Sequence, residues 1–300
     1  MFPLQRNTVF KYLCFSLTLL FATQVHAADT LARIKERKTI VIAHREASVP
    51  ISYLSEDSKP IGYAMDICGK VVERIKRELK QPQLALSYLL VNSSNRFSAI
   101  QEASADLECG TTANTAERRK QVAFSIPYFF SATRFLTKAD SNIKNWSDLT
   151  QRRVAIVRGS TANSLLRQLT QLKFSEIKLI EVSNSRAGLE LLQEGQADAV
   201  VAEELILAGL RASTEATSHW KIQGDNIGIE AQTIMFAKDD PALKTLIDKE
   251  IAKLINEGEL SKLYEKWFMQ ALPTSGLNYA LPMSFLLRDS LRFPSDKVLN

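Results

Sequence analysis

The sequence predicts a two-lobed α/β protein with a cleft between its lobes, and three observations predict it. Short β-branched runs alternate with segments whose apolar residues recur at helical spacing, the pattern of β-loop-α-β units on parallel sheets. That series starts twice, once before Asp140 and once after it, in a chain longer than one hydrophobic core usually serves. Polar clusters follow the strands at their carboxyl ends, where open α/β sheets bind ligands.

At the N-terminus Arg6 and Lys11 precede or open an apolar run, Tyr12 to Ala22, which Val25-His26-Ala27 follows. This is the layout of a secretory signal peptide cleaved after Ala27, and its apolar run is shorter than the ~20 residues that span a bilayer. Cys14 lies inside that run and is not placed as the lipidated first residue of a mature chain. No later segment is apolar enough to cross a membrane. A short helix, Leu31 to Arg37, leads into a strand, Thr39 to Ala43, that ends in the charged loop His44-Arg45-Glu46. Apolar Ile67, Val71, Val72, Ile75 and Leu79 give a helix from Met65 to Lys80, closed by Pro82. Strand Leu84 to Val91, helix Phe97 to Ala103 and strand Ala105 to Cys109 complete the first series. The second runs through strand Arg153 to Val157, the turn Gly159-Ser160-Thr161, helix Ala162 to Leu172, strand Ile177 to Val182, helix Arg186 to Glu194 and strand Ala197 to Ala202. Glu230 to Ala237 reads as one returning strand, Asp240-Pro241 opens a long helix that runs to Gly258, and Leu260 to Met269 forms another. From Pro273 onward, proline and serine punctuate a stretch that wraps a surface.

Hydrophobic residues at 45% and charged residues at 24% exclude a disordered chain. Removing the leader deletes two basic residues and no acidic one, which lowers the net charge of +5 by two. So mild an excess, with no basic run interleaved with aromatics, predicts no nucleic-acid partner. His44 and His219 lie far apart and the cysteines have no metal-ligand spacing, so neither a metal nor a cofactor is predicted. Cys68 and Cys109 enter a compartment where disulfides persist; they either pair or stay as buried thiols.

Three stretches carry a resemblance: Glu117-Arg118-Arg119-Lys120-Gln121-Val122-Ala123-Phe124-Ser125-Ile126-Pro127-Tyr128, the Gly159-Ser160-Thr161 turn, and Asn256-Glu257-Gly258-Glu259-Leu260 followed by Tyr264-Glu265-Lys266-Trp267-Phe268. They resemble the family 3 solute-binding proteins of polar amino-acid ABC transporters. His44 to Pro50, Ser93-Ser94-Asn95-Arg96, Glu108-Cys109-Gly110, Lys238-Asp239-Asp240-Pro241, and an ending with Asp296-Lys297 and Leu299-Asn300 resemble its glutamate/aspartate-binding branch. The resemblance covers nearly the whole mature chain and implies the type II periplasmic binding protein fold. Residues 28–129 and 233–300 would form one lobe and residues 130–232 the other, joined by two strands crossing near Phe129 and Gln232, with hinge closure around a ligand. It also implies a periplasmic monomer that binds an acidic amino acid and delivers it to an ABC transporter permease.

Residue by residue, Arg118 resembles the arginine that holds the ligand's α-carboxylate, since a guanidinium forks onto a carboxylate through two parallel hydrogen bonds. Arg45 and Arg96 resemble the pair that meets a second carboxylate; two cations at one cleft repel until an anion joins them. Ser93 and Thr111 add hydroxyl donors, and Ser160 either joins them at a helix N-terminus or simply caps that helix. Glu203 stands where the family has an aspartate for the ligand's ammonium, with Glu204 beside it as the competing candidate. Ala113 and Ser185 depart from the threonine and histidine of that branch, and Arg158 is an extra cation that either compensates or faces solvent. Two other classes remain open on this scaffold: a dehydratase-like enzyme acting on a carboxylated small molecule, with Glu203 as its acid, and a sensory module that presents ligand to a membrane receptor.

Overall fold

The computed structural model describes residues 29–173, 176–273 and 275–297; the predicted leader and the terminal Leu299-Asn300 lie outside the described residues. The chain runs α1 (Thr30–Arg37), β1 (Thr39–His44), β2 (Ala47–Ser48), β3 (Ser52–Leu54), β4 (Pro60–Ile61), α2 (Tyr63–Glu78), β5 (Ala85–Leu90), α3 (Arg96–Gln101), β6 (Leu107–Cys109) and β7 (Val122–Phe124). It continues through β8 (Phe129–Lys138), β9 (Arg153–Val157), α4 (Thr161–Lys173), β10 (Lys178–Val182), α5 (Ser185–Gln193), β11 (Ala199–Glu203), α6 (Glu204–Ala212) and β12 (Trp220–Gln232). The last elements are β13 (Met235–Ala237), α7 (Pro241–Asn256), α8 (Glu259–Tyr264) and α9 (Phe285–Arg292).

Two five-stranded sheets organise two lobes, in the orders β5-β1-β6-β13-β7 and β10-β9-β11-β8-β12. In the first, β1 is parallel to β5 and β6, and in the second β9 is parallel to β10 and β11, as βαβ connections require. β13 and β8 run antiparallel to their neighbours. The chain crosses between the sheets twice, along β8 and β12, whose last register pair is Phe129 with Gln232. Backbone hydrogen bonds tie this crossing to the loop after β6: Asn114 N donates to Ala231 O at 2.9 Å and Thr233 N to Thr112 O at 3.2 Å.

The predicted helical stripe is the buried face of α2, where Ile67, Val71, Val72 and Ile75 pack in one core with Leu243, Ile247 and Ile251 of α7. Proline at the start of α7 and the Asp240 side chain, which accepts from Leu243 N at 3.0 Å, begin that helix where the Asp-Pro signal puts it. Under the crossing strands, Phe129 stacks on Phe268 at 5.1 Å between ring centres, and Tyr63 meets Phe268 edge-on at 5.2 Å. Burying such rings contributes about 1.5–3 kcal/mol each, which anchors the hinge on the first lobe. Cys68 of α2 and Cys109 of β6 form a disulfide, which resolves the alternatives left by the sequence.

The single strand expected over Glu230 to Ala237 is instead two. β12 belongs to the second sheet and β13 to the first, because Thr233 and Ile234 carry the chain across the hinge. The helix expected to Met269 ends at Tyr264 and continues as one wide turn, Glu265–Met269. The remaining predicted elements recur with ends shifted by a few residues. The C-terminal stretch does wrap a surface: Leu287 of α9 joins the first core, and Asp296 sits against Lys244 at 2.8 Å and Arg119 at 3.6 Å.

Candidate ligand-binding site

The parallel strands of both sheets send their carboxyl ends toward the gap between the lobes. Arg45 follows β1, Ser93 and Arg96 follow β5, and Thr111 follows β6; from the other lobe, Ser160 follows β9 and Glu203 ends β11. These six predicted residues line one cavity with Ser48, Thr161 and Ser185. Arg118, the seventh, stands at its edge in a short turn of 3-10 helix, Arg118–Lys120. Its Nη1 donates to Ala113 O at 3.0 Å, and its Nη2 reaches Gly159 O, across the cleft, at 3.5 Å.

The lobes are closed on each other. Gly159 has φ +73°, and a Cβ there would lie 2.9 Å from the carbonyl oxygen of Ser93, so both the turn and the approach require glycine. Asn184 Nδ2 reaches Glu46 Oε2 across the gap at 3.4 Å. The enclosed space measures about 20 Å³, room for one water-sized molecule, so anything larger enters only when the lobes separate. Wider clefts exist, about 760 Å³ beside α2 and about 500 Å³ behind the hinge, yet neither is lined by an unpaired buried guanidinium.

That feature sets the cation cluster apart. Arg45 Nη2 donates to Ser93 Oγ at 2.8 Å, but Arg45 Nη1 and Arg96 Nε have no hydrogen-bond partner although both residues are buried. A buried donor left unmade costs about 1–3 kcal/mol, and more when charged. Burial first, then the charge of Arg96, holds Arg45 down to about 10, with Glu108 and Glu203 opposing. Burial and then Arg96 likewise bring Arg118 to about 10, and burial lowers Arg96. All three stay charged at neutral pH with Glu108, Glu203 and Glu230 as the opposing charges, and the unmade donors on Arg45 and Arg96 are what an anion in the cleft would satisfy.

Three participants, Phe97, Glu108 and Glu230, escaped the sequence reading, and a fourth, Thr161, was read only as part of the Gly159-Ser160-Thr161 turn after β9. The Phe97 ring lies under both guanidinium groups, 5.4 Å from Arg96 and 5.3 Å from Arg118, a doubled cation–π contact. Glu108 is fully buried with both carboxylate oxygens unpaired, next to the stem of Arg45: a Cβ on Gly110 would meet Glu108 Oε1 at 2.5 Å and Arg45 Cγ at 2.9 Å. Thr161 lines the cavity and donates to Glu230 of β12 at 2.6 Å. The available signals were an aromatic beside Arg96 and a lone acid inside the apolar strand before Gly110; nothing local marked Glu230.

The competing residues lie in different surroundings. Glu203 lines the cleft, whereas Glu204 pairs with Arg134 at 2.6 Å. Arg158 points outward and pairs with Glu181 at 2.8 Å. Ser160 caps α4, its Oγ accepting from Asn163 N at 3.1 Å and donating to Val157 O at 2.8 Å, while the residue also lines the cavity. Ala113 is buried and offers no hydroxyl, and Ser185 does line the cavity.

Residues 40–270 match the family described as bacterial extracellular solute-binding proteins, family 3. The chain is 39% identical over 269 residues to the L-glutamate/L-aspartate-binding protein of Pseudomonas aeruginosa, covering 89% of each chain. It is 35% identical over 274 residues to the glutamate/aspartate import solute-binding protein of Escherichia coli K12, covering 91% of each. Among solved structures it is similar to a mutant of ArgBP from T. maritima, with a TM-score of 0.70 at 23% identity over 80% of this chain and 100% of that one, a likeness of fold. The two sheets, the doubled crossing and the match along most of its length make this chain a member of the family 3 bacterial extracellular solute-binding proteins, built on the type II periplasmic binding protein fold.

Proposed function

We propose that the chain is exported to the periplasm with removal of residues 1–27, binds an acidic amino acid as a monomer between its lobes, and hands it to an ABC transporter permease. The observation that carries this reading is the pair of buried, incompletely paired guanidinium groups, Arg45 and Arg96, at one end of a cleft whose edge holds Arg118. Three fixed cations suit two carboxylates, with Arg118 taking the α-carboxylate and Arg45, Arg96 and Ser93 the second. Thr111 adds a hydroxyl, Ser160 lines the wall with its own proton given to Val157 O, and Glu203 faces the ligand's ammonium. The names of the relatives, which bind or import glutamate and aspartate, agree with that chemistry.

The lobes in this reading are residues 28–129 with 233–300, and residues 130–232, hinged at the crossing strands. Ligand bridges them, so the closed state gains contacts that the open state lacks, and binding shifts the population toward closure. No bond is broken: Glu203 faces guanidinium groups and serves charge pairing rather than proton transfer. Isothermal titration calorimetry on mature protein freed of ligand by unfolding and refolding tests the reading with glutamate, aspartate, glutamine and succinate. Tight binding of glutamate or aspartate and not of succinate is expected. Binding of succinate alone, or of none of the four, would assign the cleft to another ligand.

A further inference from the structure

Glu230 lies on β12, in register with Ser131 of β8, where the two strands cross between the lobes. Its carboxylate accepts a 2.6 Å hydrogen bond from Thr161 Oγ1, and Thr161 lines the cleft beside Ser160 and Glu203. Two residues along the same strand, Gln232 bridges to Ala113, whose carbonyl receives Arg118. Glu230 is thereby held between the arginine corner of the cleft and the start of α4. The charged groups facing it are Glu203 at the end of β11, Arg118 from the 3-10 turn and Arg96 from α3; Thr161 is its neutral partner on α4.

One carboxylate is enough to pair one ammonium, and a second beside it is repelled. Burial first, then Glu203, raises Glu230 to about 7, against the Thr161 hydrogen bond and the charges of Arg118 and Arg96. A ligand that brings an ammonium relieves that repulsion, whereas a dicarboxylate without one adds to it.

We propose that Glu230 and Glu203 together form a two-carboxylate receptor for the ligand's ammonium, which makes Glu230 a specificity-determining residue that rejects dicarboxylates lacking an amino group. The assignment rests on the cleft being an acidic-amino-acid site. Glutarate, which is glutamate without its amino group, is accepted only while Glu230 carries a proton. Its affinity therefore falls about tenfold per pH unit above the Glu230 titration, while glutamate keeps its affinity. Both ligands neutralise the same arginines, so the ratio of their affinities isolates Glu230.

The experiment is calorimetry at pH 6, 7 and 8 with L-glutamate, and with glutarate by competition, on the mature protein and on Glu230→Gln. The glutamate-to-glutarate preference of the parent should grow about fivefold between pH 7 and pH 8, because a group titrating at about 7 goes from half protonated to about a tenth. Glu230→Gln should show a preference independent of pH and bind glutarate at pH 8 about tenfold or more tighter than the parent does. Glutamate binding with a flat preference in the parent, glutarate binding absent even at pH 6, or a folded Glu230→Gln with the parent's pH profile overturns the assignment alone. Failure of glutamate to bind overturns the acidic-amino-acid reading and this assignment with it. The parent profile needs no variant, so the test stands even where Glu230→Gln does not fold.

Discussion

Replacing Gly159 with alanine separates the energetics of closure from those of folding. The added methyl carbon falls 2.9 Å from the carbonyl oxygen of Ser93 and 3.3 Å from its carbonyl carbon, and Ser93 belongs to the opposite side of the cleft. Relieving the shorter contact requires the lobes to part there by roughly half an ångström, toward the ~3.3–3.6 Å of a carbon–oxygen contact. Overpacking of this kind costs about 1–3 kcal/mol, and only in the closed form. Alanine at φ +73° carries a separate penalty of about 1–2 kcal/mol that open and closed forms share. Two readouts therefore move independently. Glutamate affinity should weaken about 5- to 150-fold by calorimetry, and thermal stability without ligand should drop by roughly 2–8 °C. Small-angle scattering with saturating glutamate should show less compaction than in the parent. A variant that loses the expected thermal stability but binds glutamate within twofold of the parent would refute the reasoning, since the Ser93–Gly159 approach would then be no part of the bound state.

Arg96→Met should raise the ligand-free melting temperature by a few degrees, because it removes a buried cation with an unpaired Nε that repels Arg45; a fall of several degrees in differential scanning fluorimetry would contradict this. Cys68→Ala with Cys109→Ala opens a cross-link spanning 41 residues of sequence and should lower stability by about 4 kcal/mol in urea unfolding; a loss under about 1 kcal/mol would show that the packing around α2 and β6 suffices without it. Burial pushes the Asp296 carboxyl up, but the Lys244 hydrogen bond and the charges of Lys244 and Arg119 outweigh it and hold the group below its ordinary value. A depressed carboxyl stabilises above its unfolded pKa and loses that contribution as pH falls through the folded one. Asp296→Asn should therefore melt about 2–4 °C below the parent at pH 7, with the gap closing toward pH 3; a gap independent of pH would assign the effect to something other than charge.

The parallel halves of both sheets were legible because β-branched runs such as Thr39-Ile-Val-Ile-Ala43 need no partner to be recognised, and helical spacing located α2 and α7. The crossing pair was legible only through the family resemblance and not in the local pattern. Trp220–Gln232 contains Gly224, Asp225, Asn226 and Gly228, which read as turns, and register shifts on either side of Ile227 show that pairing with β8 holds an irregular segment extended. The site divided along the same line. Arg45, Ser93, Arg96, Thr111, Arg118, Ser160 and Glu203 follow strands visible in the sequence, so their motifs could be placed at strand ends. Glu230 reaches Thr161, which lines the cleft, through a strand whose course only tertiary pairing fixes, and Glu108 becomes significant only once its burial beside Arg45 is seen.

The central claim is that buried arginines read the second carboxylate of the ligand, and glutamate against glutamine is its most direct measure because the two differ by one carboxylate-to-amide exchange. Calorimetry on the parent should give a preference for glutamate of about 100-fold or more, the scale of a charge-assisted bidentate contact, and Arg96→Met should shrink it to within about tenfold. Equal binding of glutamine by the parent, or a preference that survives in Arg96→Met, would contradict the account.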